Sequence, residues 1–149
     1  MALAWKLVVD SAEPIALARF WAAALEYEIE DNGALIEQLA SSGAIGPDAY
    51  VEIDGRRAFR NLAAIRHPED PVQPVSGIGL GRRLLFQAVP EPKQVKNRLH
   101  VDLHAGPDQR EATVRRLVGL GATVLREVDE PGSVFTAMVD PEGNEFDVQ

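Results

Sequence analysis

Residues 3–10 are apolar and rich in leucine and valine, the pattern of a strand. Pro14 follows, well placed for a first helical position, where no backbone donor is needed. Ile15, Ala18, Trp21, Ala22 and Leu25 then recur at helical spacing and give one apolar face. The same order returns late in the chain. Residues 98–105 alternate as a strand, and Pro107 opens a second helix with Leu117, Val118 and Leu120 on its apolar face. Gly121 suits a left-handed cap at the end of that helix. Residues 122–127, 134–139 and 145–148 read as three further strands. The last two are joined by Asp140-Pro141-Glu142-Gly143-Asn144, where proline presets φ early in the turn and glycine accepts positive φ late.

The halves line up at nearly constant offset. Lys6 matches His100 at a separation of 94, Pro14 matches Pro107 at 93, and Leu25 matches Leu120 at 95. A βαβββ module used twice follows, and a repeat of whole supersecondary units fixes the architecture as α+β. The closing strand of repeat one falls at 82–89, so Gln87 matches Asp147 at an offset of only 60. Repeat one therefore carries about 34 extra residues within 32–81. Residues 35–39, 50–53 and 62–65 are strand-like there; the segment serves either as a lid over a pocket or as loop decoration. One domain over 1–149 is expected, with repeat one about 3–91 and repeat two about 96–149.

Composition narrows the chemistry by exclusion. The chain has no cysteine, which removes disulfides, thiolate nucleophiles and iron–sulfur ligation together. A formal net charge of −8 argues against nucleic acid as a partner. Arg56-Arg57 and Arg115-Arg116 read as solvated charges, not a binding stripe. No apolar run approaches the ~18–20 residues that cross a bilayer. The first residues lack a signal peptide's basic and apolar regions, so a cytoplasmic location is expected. Gly77-Ile78-Gly79-Leu80-Gly81 lacks the third glycine spacing of a dinucleotide loop, and a strand follows it.

Candidate chemistry gathers on one strand. His100, Asp102 and His104 alternate and so share a sheet face, with the two histidines about 13 Å apart at ~3.3 Å per residue. One metal bonded to nitrogen at roughly 2.0–2.1 Å cannot reach both. Arg98 shares that face and either grips a carboxylate or phosphate or forms an ion pair at the strand's entrance. Phe20 and Trp21 are expected in the core, Trp5 under the helix opposite Lys6, and His67 in an exposed loop.

Asn97-Arg98-Leu99-His100-Val101-Asp102-Leu103, then Leu120-Gly121-Ala122-Thr123, then Asp140-Pro141-Glu142-Gly143-Asn144-Glu145-Phe146 resembles the C-terminal half of a glyoxalase-like domain. Ala18-Arg19-Phe20-Trp21-Ala22-Ala23-Ala24-Leu25 and Leu85-Phe86-Gln87-Ala88-Val89-Pro90-Glu91 resemble its first half. The family is the vicinal-oxygen-chelate superfamily of glyoxalase, bleomycin-resistance proteins and extradiol dioxygenases. The resemblance implies an incomplete eight-strand barrel whose two modules cup a small molecule. Metal-dependent relatives place four ligands there, at positions that map onto Lys6, Gln87, His100 and Asp147.

That set is broken in repeat one. A protonated Lys6 has donors and no lone pair, and Gln87 is a weak ligand through its amide oxygen. The expectation is a small-molecule-binding protein of resistance, sequestration or sensing type with no metal cofactor. Its ligand contacts would be Lys6, Gln87, Arg98, His100, Asp102 and Asp147, with Lys6 pairing Asp102, Asp147 or an anionic ligand oxygen. The alternative is a metal-dependent lyase, isomerase or dioxygenase, its divalent metal held by His100, Asp147 and Gln87. A third course is a metal-free enzyme using Asp102 and His100 as a base pair. A homodimer is the expected assembly, since many relatives pair modules across a dimer.

Overall fold

The computed structural model describes residues 1–149 and divides into two compact units, Met1–Pro90 and Glu91–Gln149. In the first, β1 (Leu7–Ser11) leads into α1 (Pro14–Leu25), which starts at its proline and ends in a left-handed residue, Glu26. The two-residue β2 (Glu28–Ile29) follows, then α2 (Gly33–Ser41) and a single 3-10 turn (Pro47–Ala49). A hairpin of β3 (Tyr50–Ile53) and β4 (Arg56–Phe59) precedes β5 (Leu62–Arg66) and β6 (Arg83–Ala88). The second unit runs β7 (Val101–Leu103), α3 (Arg110–Leu120), β8 (Thr123–Glu130), β9 (Ser133–Val139) and β10 (Glu145–Val148).

Both units use one topology. The first has strand order β1-β6-β5-β2 and the second β7-β10-β9-β8. In each, the first and last strands pair in parallel and the other pairs are antiparallel. Neither sheet closes, and the α+β fold of two βαβββ repeats stands. Extra elements separate β2 from β5, so the insertion consists of α2, the 3-10 turn and the β3–β4 hairpin. No helix is long and apolar enough to cross a membrane.

Phe20 and Trp21 are buried and meet edge to face at 5.4 Å, in a core with Leu17, Ile36, Ile65 and Phe86. Four expectations need correction. Residues 35–39 are helical: only Ile36 is fully buried there, so the short apolar run serves one side of a helix. Trp5 precedes β1 and is 86% exposed, because the ladder that would aim it under α1 begins at Leu7. On α3 only Leu117 is buried, and Val118 and Leu120 remain substantially exposed. His67 is half-buried, packed edge to face on Tyr27 at 5.2 Å.

The first unit is pinned by a buried ion pair. Arg83 donates through Nε and Nη2 to Glu30 at 2.6 and 2.9 Å, and the Gly79 amide adds a third donor at 2.7 Å. The Glu30 side chain is fully buried. The glycine-rich segment serves this approach. A Cβ on Gly79 would lie 2.8 Å from the Arg66 side chain, and one on Gly77, at φ +72°, would lie 2.0 Å from the Asp31 carbonyl. Beside it, the Arg82 guanidinium and backbone amide donate to Asp70 and hold its carboxyl down to about 2.

Two outcomes test this account. Glu30→Ala leaves Arg83 buried and unpaired, which costs about 3–5 kcal/mol; a matching drop in the urea midpoint with unchanged slope is expected, and an unchanged midpoint would refute it. Asp70, with its pKa depressed, adds stability that is full above about pH 4 and fades as pH falls toward about 2. The gap in urea midpoint between wild type and Asp70→Asn should therefore narrow over that window, and a gap that widens on acidification would contradict it.

Candidate functional site

The turn between β9 and β10 sets where the last strand starts. The buried Asp140 accepts at 2.9 Å from the amides of both Glu142 and Asn144, and its own amide donates to the Asn144 carbonyl at 2.9 Å. Gly143 supplies the positive φ, at 84°, that the turn requires. Glu145, at the strand's first residue, accepts from Lys93 and from the Asn97 amide, which ties the segment entering β7 to β10. Two positions later on β10 stands Asp147.

Parallel pairing puts Asp147 opposite Asp102, with Phe146 opposite Val101 and Val148 opposite Leu103. Phe146 and Val148 are fully buried, so the intervening Asp147 faces the other side, where Asp102 also lies. His100, two residues before Asp102, joins them. Its Nε2 is 3.4 Å from Asp102 Oδ1 and 3.8 Å from Asp147 Oδ2. The nearest ligand atoms of all three lie within 4.8 Å of one another. Exposure falls from 44% at the His100 side chain to 38% at Asp102 and 20% at Asp147. Burial pushes the Asp147 carboxyl up and the Asp102 charge adds to this, while His100, Lys96 and Arg126 pull it back. Gln149 Nε2 donates to the outer oxygen of Asp102 at 3.0 Å.

The remaining candidates sit elsewhere. Arg98 is exposed just before this cluster and makes no ion pair. His104 shares the strand face of Asp102 but lies outside the donor group. In the first unit, Lys6 is exposed ahead of β1, and Gln87 pairs with Asp10. Those two are four strand positions apart, about 13 Å at ~3.3 Å per residue, and are not neighbours.

The ladders also revise the matching of the repeats. Phe86 and Phe146 are both fully buried, each one residue before the candidate on the last strand. Phe86 pairs with Val9 and Phe146 with Val101. The counterpart of His100 on this count is Val8, and that of Asp102 is Asp10. Lys6 lies two residues earlier, because the near-constant offset read along the chain drifts across the turn between β1 and α1.

The residues that sequence reasoning missed are Gln149, Lys96 and Arg126. Each acts on a carboxylate through a partner on another strand or loop, and no local motif marks such a pairing. A charged cleft in the first unit, between α2 and the β3–β4 hairpin, is lined by Glu52 and crossed by the Arg56–Asp31 and Arg57–Glu37 ion pairs.

A donor set of one imidazole and two carboxylates has the chemistry to hold a divalent cation from one side. The four-ligand set of metal-dependent relatives does not fit in full, because its first-repeat positions here are Val8 and Gln87.

Comparison with known proteins agrees with this architecture. A glyoxalase/bleomycin resistance protein/dioxygenase family enzyme from Burkholderia phytofirmans superposes with a TM-score of 0.59 at 10% identity, covering 96% of this chain and 94% of that one. A possible glyoxalase from Bacillus cereus gives 0.58 at 15% identity, covering 99% of each. The fosfomycin resistance protein FosX from Listeria monocytogenes, complexed with Mn(II) and 1S,2S-dihydroxypropylphosphonic acid, gives 0.59 at 8% identity, covering 100% and 90%. No curated protein matches the chain in sequence. The family model described as a glyoxalase-like domain matches residues 6–149. On that match, the chain belongs to the glyoxalase-like domain family.

Proposed function

We infer that the chain binds a small organic molecule on the polar face of its glyoxalase-like fold, as a resistance, sequestration or sensing protein. It does so without the four-ligand catalytic metal centre of metal-dependent relatives. The register of β1 against β6 carries this reading, since it sets Val8 and Gln87 where repeat two has His100 and Asp147. Valine has no lone pair, and an amide oxygen is a poor ligand for a transition metal. His100, Asp102 and Asp147 are the central contacts, with Arg98, just ahead of the same strand, as a further one. The protein is proposed to work in the cytoplasm as a homodimer, with a small molecule and not nucleic acid as its partner.

A second reading has a specific observation in its favour. The convergence of His100, Asp102 and Asp147 suits a metal-dependent lyase, isomerase or dioxygenase, in which the metal would act as a Lewis acid.

Thermal unfolding separates the two. Chelator-treated protein, screened against small organic molecules with chelator present, should yield ligands that raise the Tm. At a ligand concentration 100 times Kd the gain is about 2.7 kcal/mol, or about 5–10 °C for a chain of this size. His100→Ala and Asp102→Ala should reduce those shifts. Ligands that stabilise the protein only once a divalent metal is restored would sink the first reading in favour of the second.

A further inference from the structure

The first half of β8 steps out of register with β9. Thr123 and Val124 pair with Val139 and Met138, but the next pair is Arg126 with Ala137, so Leu125 is an extra residue bulged out of the ladder. A bulge re-aims the side chains that follow it. Paired residues share a sheet face, and alternation sets Met138 with the fully buried Phe146 and Ala137 with Asp147. In an unbroken ladder Leu125 would oppose Ala137, and Arg126 would oppose Thr136 on the buried side. The inserted residue therefore turns Arg126 onto the face that carries His100, Asp102 and Asp147.

Register extends this across the sheet. Arg126 pairs with Ala137, Ala137 with Asp147 and Asp147 with Asp102, a single row running over β8, β9, β10 and β7. At about 4.8 Å between strands, Arg126 and Asp147 arise about 10 Å apart with only a methyl group between them. Ala137 is 8% exposed and makes a low floor, which the half-buried Phe135 extends along β9 with apolar surface. Arg126 is exposed and ion-paired to neither carboxylate, whose shared ion-pair partner is His100. Its charge is felt across the floor all the same: burial raises the Asp147 carboxyl, and Arg126 is among the groups that oppose the rise. The face thus has a negative pole and a positive pole with an apolar strip between them.

We propose that this row selects a zwitterionic small molecule, its ammonium on Asp102 and Asp147, its oxyanion on Arg126 and its aliphatic middle over Ala137 and Phe135. The inference rests on the small-molecule reading and narrows it to a ligand class. A simple acid meets repulsion from the carboxylates, and a simple amine leaves Arg126 unanswered. A molecule carrying both charges satisfies both poles, and a guanidinium is well shaped to grip a carboxylate through paired donors.

NMR titration of the chelator-treated full chain with glycine, β-alanine, γ-aminobutyrate, δ-aminovalerate and ε-aminocaproate tests the row, each compared with the amine and the acid of equal chain length. At least one of the longer amino acids should bind about tenfold more tightly than either comparison compound. Arg126→Gln, at an exposed position with no ion pair to lose, should remove that advantage while the amine binds as well as before or better. Asp102→Asn should weaken amino acid and amine alike. Equal affinity for amino acid and amine in the wild type overturns the proposal, as does an advantage that survives Arg126→Gln or a series in which nothing binds. The small-molecule reading fails separately, only when screening with chelator present yields no stabilising ligand of any kind. A neutral ligand that raises the Tm equally in wild type and Arg126→Gln, with no amino acid preferred, would keep that reading and sink this one.

Discussion

The parallel pairing of first and last strands is the constraint on which the rest of each repeat depends. Parallel strands need a long crossover, and here the helix and the meander of the βαβββ unit supply it. The pairing makes neighbours of residues about 45 positions apart, such as Asp102 and Asp147. Register then decides everything that faces outward, because a slip of one residue would reverse every side chain on the strand. Phe146 and Val148 in one unit and Phe86 in the other are fully buried, and each holds its ladder in place. The polar cluster is therefore positioned by apolar anchors on the opposite face of the same strand.

Much of this was legible along the chain. The strand, helix and turn signals at both ends led to the βαβββ repeat, since proline at the start of α1, the glycine after α3 and the Asp140–Asn144 turn each carry a local mechanism. The insertion was harder. Leu35, Ile36 and Leu39 suit a strand as well as one side of a helix, and only packing against β4 distinguishes the two. Trp5 misled in a similar way, because a large apolar side chain suggests burial even where the ladder has not begun. In the site, the sharing of one face by His100 and Asp102 follows from period two. Their meeting with Asp147 needed the register between strands, which no single strand encodes. Counting offsets along the sequence put Lys6 in the place that the ladder gives to Val8.

Long-range charge pairs were equally hidden. Glu30 and Arg83 are 53 residues apart, and nothing near either predicts that a fully buried carboxylate sits at the end of β2. Such a pair tolerates burial only when its hydrogen bonds are complete. The Gly79 amide supplies the third donor, which is why a glycine-rich segment that superficially resembles a nucleotide loop serves a structural end. The same residues thus lose one reading and gain another once their partners are known.

The two repeats share a backbone plan but differ in what they display on it. On matching positions the first carries Val8, Asp10 and Gln87 and the second His100, Asp102 and Asp147. One imidazole and one carboxylate in place of a valine and an amide convert a weakly polar strand pair into a concentrated donor group. Partial burial pushes the Asp147 carboxyl up, and the Asp102 charge on the adjacent strand adds a smaller repulsion. A cation, an ordered donor from a ligand, or the neighbouring Lys96 and Arg126 can each offset it. The repulsion makes the face a site where a bound donor gains more than it would on the first repeat, whatever its identity. The donor group is thus concentrated in the second repeat, on strands whose counterparts in the first carry a valine and an amide.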